Sequence, residues 1–218
     1  MGMEGSIARW YARSTQRDLE DFRQEARQVA AQLQPGARVL EVAPGPGYFS
    51  IELAKLGSFQ IVGLDISHTF VNIAREKACE QSVEVDFRQG NASAMPFESS
   101  SFDFIFCRAA FKNFAQPVEA INEMHRVLRP DGRAMIVDLR KDVSVAEIDA
   151  YVRNSGRNLF DSIVTKLAFR TFLIKRAYTT QNFLDMAAQS HFGKCRIVPG
   201  PIGFDIHFEK EGKKETPN

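Results

Sequence analysis

The chain has 218 residues, of which 44% are hydrophobic and 25% are charged, and its formal net charge is +1 at pH 7. These values are typical of one globular domain with a short helical addition, large enough to bury a full core. The balanced charge argues against a polyanionic partner, so we expect no nucleic acid ligand. The three cysteines and four histidines show no zinc-like spacing, so we expect no metal site.

The sequence also predicts a cytoplasmic protein without a transmembrane segment. No apolar run approaches the roughly 18 residues that span a bilayer, and the polar start Met1-Gly-Met-Glu-Gly5 does not resemble a signal peptide. The cysteines are odd in number and scattered, which is typical of reduced thiols. The charged residues 211–218 predict a flexible tail.

The hydrophobic pattern predicts alternating helices and strands over 14–139. Apolar residues at three- and four-residue spacing predict a first helix over 14–33, which Gln34-Pro-Gly36 ends. The predicted strands cover 38–42, 60–64, 83–88, 102–107 and 133–139, and the helices between them cover about 48–56, 67–79 and 117–128. Ser67 can cap the second of these helices. This alternation predicts a parallel sheet with right-handed crossovers and helices on both faces.

The pattern changes after the fifth predicted strand. Residues 144–190 contain about three helical segments and no convincing strand. Two alternating segments, 195–198 and 203–208, close the chain on either side of Pro199-Gly-Pro201. These features predict a helical insertion followed by two more strands.

The most informative stretch is the turn after the first predicted strand, VLEVAPGPGYFS over 39–50. Gly45 and Gly47 have no Cβ, so the backbone can approach a ligand closely. The helix that follows points its N-terminal N–H groups at the same place. Asp65 ends the next strand, where a carboxylate can accept hydrogen bonds from both hydroxyls of a ribose. Together these residues predict a nucleoside pocket.

Two details of the turn distinguish which nucleoside it suits. Ser50 stands where the dinucleotide fingerprint needs a third small residue against the sheet, which disfavours a nicotinamide dinucleotide. Glu41 lies inside the strand before the turn, and a carboxylate there disfavours a pyrophosphate but suits an ammonium group. S-adenosylmethionine has a ribose, an amino-acid tail and a sulfonium, and it has no phosphate. It is therefore the cofactor that we expect.

Three motifs carry a resemblance to a known family. Glu41-x-x-x-Gly45-x-Gly47 resembles motif I of class I S-adenosylmethionine-dependent methyltransferases, with Ala43 in place of the family's first glycine. The runs QGNASAMPF (89–97) and SFDFIF (101–106) resemble the family's G-D-A-x-x-L-P-F and F-D-x-V, and EMHRVLRPDG (123–132) resembles its E-x-x-R-V-L-K-P-G-G turn. The match covers 37–139 and looks most like the branch with ubiquinone and menaquinone methyltransferases.

The resemblance implies a fold and a division of the chain. The fold is a Rossmann-like, doubly wound α/β sheet of seven strands, six of them parallel and the last antiparallel. The implied parts are an N-terminal helical lid segment (1–34), a methyltransferase domain (35–210) and the tail (211–218). The helical insertion, at about 144–176, lies between the fifth and sixth strands. In small-molecule methyltransferases of this type, the lid and the insertion cover the acceptor pocket.

The resemblance also implies which residues bind the cofactor. Asp65 would bind the ribose, Ile66 and Phe70 would cover the adenine, and Asn91, where the family usually has Asp, would accept from the adenine amino group. Arg108 ends the fourth strand, at the edge where open α/β sheets bind ligands. The full expected set is Tyr11, Glu41, Ala43, Gly45, Gly47, Asp65, Ile66, Phe70, Asn91, Ala92, Cys107 and Arg108.

The acceptor site is the least specified part of the sequence. The apolar residues of the insertion favour a small, apolar or amphipathic acceptor, although helix packing or a homodimer face explains them too. They are Leu159, Phe160, Ile163, Leu167, Phe169, Phe172 and Leu173. Asp138, ending the fifth strand, and Tyr178, closing the insertion, are the candidate catalytic residues. A structural role also explains each of them, since many methyltransferases only align acceptor and methyl group.

Two other functions stay open at this point. A protein that binds S-adenosylmethionine without transferring its methyl group is consistent with Ala43, with Asn91 and with Phe111-Lys-Asn-Phe114, which replaces the family's common histidine. An NAD(P)-dependent oxidoreductase is disfavoured by Glu41 and Ser50. For a transferase, the expected product is S-adenosylhomocysteine.

Overall fold

The structure, a computed structural model, describes residues 2–154 and 174–212. Its strands are β1 (Arg38–Val42), β2 (Gln60–Asp65), β3 (Asp86–Gln89), β4 (Phe102–Arg108), β5 (Leu128–Leu139), β6 (Arg196–Pro199) and β7 (Gly203–Glu209). Its main helices are α1 (Gly5–Thr15), α2 (Leu19–Ala30), α3 (Tyr48–Ala54), α4 (His68–Glu80), α5 (Pro117–Val127), α6 (Val145–Asn154) and α7 (Thr180–Gln189). The fold is thus built from alternating strands and helices, as predicted.

All seven strands form one sheet in the order β3-β2-β1-β4-β5-β7-β6. Strand β7 pairs antiparallel with both β5 and β6, and the other six strands run in one direction. The predicted doubly wound sheet with one antiparallel strand is therefore confirmed. The chain order reverses between β1 and β4, which is where open α/β sheets form a ligand crevice at their carboxyl ends.

Helices cover both faces of the sheet because neighbouring residues on a strand point to opposite sides. On β1, Val39 packs in a cluster with Ala26 of α2, whereas Leu40 packs in the cluster that contains Ile121 of α5. Phe102 and Phe104 also belong to opposite clusters although they are two residues apart. The β4–β5 register shifts between them, since two steps along β4, from Phe102 to Phe104, face five steps along β5, from Leu128 to Arg133. Such an irregularity breaks the regular side-chain alternation.

Several predicted boundaries differ from the structure. The helix expected over 14–33 is two helices, α1 and α2, joined by a 3₁₀ turn at Gln16–Asp18. Strand β3 starts at Asp86 rather than at 83, because the preceding apolar residues pack against α4 without pairing in the sheet. Strand β5 starts at Leu128, five residues before the predicted 133, since Leu128 pairs with Phe102 across the irregularity.

Part of the predicted insertion lies outside the described residues. Within about 144–176 the structure describes α6 and one helical turn at Ile174–Arg176. The apolar residues expected to face an acceptor, 159–173, are among those that it does not describe. In the described ranges, every helix is too short or too polar to cross a bilayer.

Candidate cofactor-binding site

The turn between β1 and α3 has three residues in the left-handed region of backbone space. The φ angles of Ala43, Gly45 and Gly47 are +57°, +55° and +79°. A Cβ on Gly47 would lie 2.6 Å from the Phe87 ring and 2.9 Å from Cβ of Ala74, so glycine is required there for packing. At Gly45, by contrast, no heavy atom of the described residues lies within 4 Å of the Cβ position. The structure therefore has open space in front of Gly45.

Asp65 connects this turn to the end of β2. Its buried carboxylate accepts hydrogen bonds from the backbone N–H of Gly45 at 2.9 Å and of Ser67 at 2.8 Å, one on each oxygen. A carboxylate oxygen has two lone pairs, so each can still accept a second hydrogen bond. Burial raises the pKa of Asp65, and the two backbone hydrogen bonds oppose that rise. Its hydrogen bonds thus fix the carboxylate beside the open face of the turn.

Glu41 lies beneath the same turn and is buried. One of its oxygens accepts from the backbone N–H of Ser50 at 3.1 Å and from the Ser50 hydroxyl at 2.5 Å. Burial raises the pKa of Glu41 to about 7, although the hydrogen bonds from Ser50 lower it. A cation that approached this carboxylate would favour its ionised form. The residue that fails the dinucleotide fingerprint, Ser50, thus anchors the carboxylate of the strand before the turn.

The residues expected around the adenine follow β2 and β3, which end at the same edge of the sheet. Ile66 is 47% exposed, whereas Phe70 is buried and its ring meets that of Tyr11 edge-on at 5.8 Å. Ser67 caps α4 by accepting from the Phe70 N–H at 3.0 Å, as predicted. Asn91 is exposed, and its side-chain oxygen accepts from the Ser93 N–H at 3.0 Å. The structure thus brings these positions to one edge, and their binding roles stay predictions.

The end of β4 places Cys107 and Arg108 on opposite faces of the sheet. Cys107 is fully buried, and burial raises the pKa of its thiol well above the ordinary value, which disfavours a nucleophilic role. The Arg108 guanidinium carbon lies 4.5 Å from the centre of the Phe22 ring, and its Nε donates to Glu25 at 2.8 Å. Glu25 had no signal in the sequence beyond its helical position. It neutralises the cation at the end of β4.

Comparison with known proteins identifies the domain that carries this site. The family model for a methyltransferase domain matches residues 40–136, which run from β1 into β5. Residues 40–136 are thus similar to a methyltransferase domain, and this matched range is called the methyltransferase domain from here on. The glycine turn, Asp65 and the end of β4 all lie inside the matched range, whereas Tyr11, Asp138 and Tyr178 lie outside it.

Two curated relatives match the methyltransferase domain. The demethylmenaquinone methyltransferase of Deinococcus radiodurans is 38% identical over 102 residues, which is 46% of this chain and 42% of that protein. The ubiquinone/menaquinone biosynthesis C-methyltransferase of Geotalea uraniireducens is 34% identical over 107 residues, which is 47% of this chain and 46% of that protein. The matched segment thus spans less than half the length of either relative. Neither match favours the two alternative functions.

A solved structure matches over a greater length. A Methanococcus maripaludis protein, proposed to be an S-adenosyl-L-methionine-dependent methyltransferase, superposes with a TM-score of 0.75 and 18% sequence identity. The superposition covers 99% of this chain and 100% of that one. At such low identity the likeness establishes the fold, and the fold positions the methyltransferase domain's turn and β4 end side by side.

The corner where β4 and β5 end also contains a buried ion pair that sequence reasoning missed. Lys112 Nζ lies 2.8 Å from an Asp138 oxygen and donates to the Ala109 carbonyl at 2.5 Å. Asp138 accepts further hydrogen bonds from the backbone N–H of Lys112 and Leu139. The two charged side chains are only 5% and 1% exposed. This network ties the end of β4 to the end of β5 and favours a structural role for Asp138.

Aromatic rings surround the same corner of the sheet. The centre of the Phe111 ring lies 5.1 Å from that of Phe114, 6.0 Å from that of Tyr178 and 5.3 Å from that of Phe183. Burial, followed by the charge of Asp138, raises the pKa of the Tyr178 hydroxyl. Phe114 and Tyr178 are half-buried and form the outer part of the cluster. The candidate catalytic residue Tyr178 thus lies in an apolar, aromatic setting beside β4.

The N-terminal segment packs against the other side of the site. Glu4 caps α4 from a distance in sequence, accepting from the backbone N–H of His68 and of Thr69 at 3.0 Å each. The Ser67 hydroxyl donates to the Met3 carbonyl at 2.6 Å. Residues 3–5 therefore lie over the corner that follows Asp65, and α1 continues from there. A lid role for residues 1–34 stays a prediction.

Proposed function

We propose that this chain transfers a methyl group from S-adenosylmethionine to a small, apolar or amphipathic acceptor. The observation that carries the proposal is the turn at Gly45, which is open in front and held by the Asp65 carboxylate at its side. The match to a methyltransferase domain over 40–136 supports it. The match ends within β5 and does not cover the predicted insertion, so the acceptor is the less supported part of the proposal.

The residues of the site suit the parts of this cofactor. Asp65 would accept from both ribose hydroxyls through its remaining lone pairs, and the sulfonium and ammonium charges would lie on the side of Glu41. With a pKa of about 7, Glu41 is partly protonated near neutral pH, and a bound cation would draw it to the charged form. Ile66 and Phe70 would flank the adenine, with Asn91 and Ala92 at its edge and Tyr11 above the sulfonium.

The chain's residues would act chiefly by alignment. In the proposed reaction the acceptor atom attacks the methyl carbon opposite the sulfur, the carbon–sulfur bond breaks, and the acceptor's proton passes to solvent or a nearby base. Cys107 and Arg108 would position the cofactor's amino-acid end through their backbone groups at the end of β4. Asp138 would stabilise the corner where β4 and β5 end, through its ion pair with Lys112. Tyr178 stays the candidate to contact the acceptor. Alignment of this kind supplies a large part of the rate enhancement.

An aromatic acceptor is favoured by the rings beside β4. Phe114 and Tyr178 are half-buried there, and offset or edge-on contacts between rings stabilise a bound aromatic group. The two relatives are named for menaquinone and ubiquinone biosynthesis, which supports testing quinone-type acceptors first. We therefore propose reduced, hydroxylated aromatic rings as the first acceptor class.

Turnover with methyl-labelled S-adenosylmethionine tests the proposal. Purified protein should move label into a short-chain hydroquinone and form S-adenosylhomocysteine in equal amount, whereas Asp65→Asn should slow this strongly. Asp86→Asn is the matched control, because Asp86 is an exposed carboxylate at the start of β3. Cofactor binding without label transfer to any of a broad set of acceptors would instead support a binding protein. NADH binding would support an oxidoreductase.

A further inference from the structure

Helix α1 has one face packed on the domain and one face turned to solvent. Ala8 and Ala12 are buried on the packed face, and the Tyr48 hydroxyl donates to the Ala12 carbonyl at 2.7 Å. On the other side Ile7 is 62% exposed and Trp10 is 64% exposed. These are the largest exposed fractions among the large apolar side chains that the structure describes. An apolar part of the helix, formed by Ile7 and Trp10, therefore points away from the protein.

The charged residues on this outward face are all positive. With about 100° per residue, Trp10 lies at the centre of the outward face, with Ile7 on one flank and Arg13 and then Arg9 on the other. No acidic residue occurs in the α1 sequence GSIARWYARST. Glu4, just before the helix, directs its carboxylate to the start of α4. The outward face is thus both apolar and basic.

We propose that this outward face of α1, formed by Ile7, Arg9, Trp10 and Arg13, docks on an anionic lipid surface. Tryptophan prefers the boundary between acyl chains and headgroups, and arginines beside it attract anionic headgroups. A helix with an apolar face flanked by arginines is typical of segments that lie in the plane of a membrane. The uniform positive charge disfavours a second copy as the occupant, because two such faces would repel each other.

The docking face adjoins the candidate site but does not depend on its chemistry. Residue Met3, which leads into α1, is 41% exposed and contacts Ser67 through its carbonyl. A surface bound by α1 would therefore lie close to the corner that follows Asp65. The proposal goes beyond methyl transfer, since lipid binding requires neither cofactor nor acceptor.

The chain contains its own probe for this docking, because Trp10 is its single tryptophan. We would titrate the full chain with vesicles of equimolar phosphatidylglycerol and phosphatidylcholine, and with vesicles of phosphatidylcholine alone. Trp10 emission should shift to shorter wavelength with the anionic vesicles only, and the protein should sediment with them. Raising the salt concentration should reverse both effects.

Two double variants separate this face from general charge. Arg9→Gln with Arg13→Gln should weaken vesicle partitioning about 25-fold, since each arginine near an anionic surface contributes about fivefold. Arg27→Gln with Arg196→Gln removes the same charge from exposed sites on α2 and β6 and should leave partitioning unchanged. Ile7→Ser, which keeps the charge, should weaken partitioning as well.

Three results would overturn the proposal. The first is the absence of an emission shift with anionic vesicles. The second is an equal loss of partitioning in both double variants. The third is a short-wavelength emission of the protein without lipid. If that emission grows with protein concentration alongside a dimer in ultracentrifugation, a second copy covers the face. If it is independent of concentration, the chain itself covers it.

Discussion

Two glycines of the β1–α3 turn, Gly45 and Gly47, should respond differently to alanine. The substitution should cost more stability at Gly47 and more ligand affinity at Gly45. Both have positive φ, so alanine at either position carries a left-handed strain of about 1 kcal/mol. At Gly47 the new methyl group would also lie 2.6 Å from Phe87 and 2.9 Å from Ala74. Overpacking of a well-packed core costs about 1–3 kcal/mol more. At Gly45 the methyl group meets open space.

Gly47→Ala should therefore lower the free energy of unfolding by about 3 kcal/mol, and Gly45→Ala by about 1 kcal/mol. For a chain of this size, that separates the melting temperatures of the two variants by about 6 °C. The affinity for S-adenosylhomocysteine should show the reverse order. Gly45→Ala places a methyl group in the open space where S-adenosylhomocysteine is proposed to bind, so it should abolish binding. The variant should nevertheless keep most of the free energy of unfolding of the natural chain.

Urea denaturation and calorimetric titration of the two variants provide the measurements. Equal stability of Gly47→Ala and Gly45→Ala would contradict the close packing of Gly47 against Phe87 and Ala74. If Gly45→Ala binds S-adenosylhomocysteine with the affinity of the natural chain, the open face of the turn does not contact the ligand.

Three further predictions concern buried charges and backbone strain. Lys112→Met should lower the free energy of unfolding by about 3–5 kcal/mol in urea, because it leaves Asp138 buried without its cation. Adding Asp138→Asn should recover part of that loss. The control Arg88→Met breaks an exposed ion pair with Asp86 and should cost under about 1 kcal/mol. Equal losses in Lys112→Met and Arg88→Met would show that burial does not set the cost. The folded state raises the pKa of Glu41 to about 7, so its stabilising contribution is present at low pH and is lost as pH rises from about 4.5 through 7. Relative to Glu41→Gln, the natural chain should lose up to about 3 kcal/mol over that interval, and a difference that does not vary with pH would refute the assignment. Ala43→Gly should raise the free energy of unfolding by up to about 1 kcal/mol by relieving the positive φ, and a destabilised variant would show that the Ala43 methyl group contributes packing instead.

Much of the fold was predictable because its signals are local. The β1 strand, the glycine turn and the Ser67 cap each depend on residues within a few positions of one another. The end of β5 was predicted for the same reason. Its start at Leu128 was missed because it depends on pairing with Phe102, which lies 26 residues earlier in the chain. The Pro-Asp-Gly segment was predicted as a turn, and Asp131 does have a positive φ of +64°, but the segment lies in the irregularity between the pairings of Leu128 and Arg133 with β4.

The candidate site was predictable in outline and not in its supporting contacts. Gly45 and Asp65 could be paired from the order of strand and turn alone. The partners of Arg108 and Asp138 could not, since Glu25 lies 83 residues from Arg108 in sequence and gives no pattern of its own. Lys112 lies in the segment Phe111-Lys-Asn-Phe114, which replaces the family's histidine. A lysine in such an aromatic segment was the only local indication that it is buried and paired. Long-range ion pairs of this kind need the packed structure.

Calorimetric titration with S-adenosylhomocysteine tests the central claim most directly, using the natural chain, Asp65→Ala and Asp86→Ala. The account predicts that the natural chain and Asp86→Ala bind with equal affinity. Asp65→Ala should bind at least about 100-fold more weakly, the loss of two charge-assisted hydrogen bonds. Equal affinity in all three proteins would show that the ligand does not use the end of β2. The absence of binding to the natural chain would contradict the cofactor site altogether.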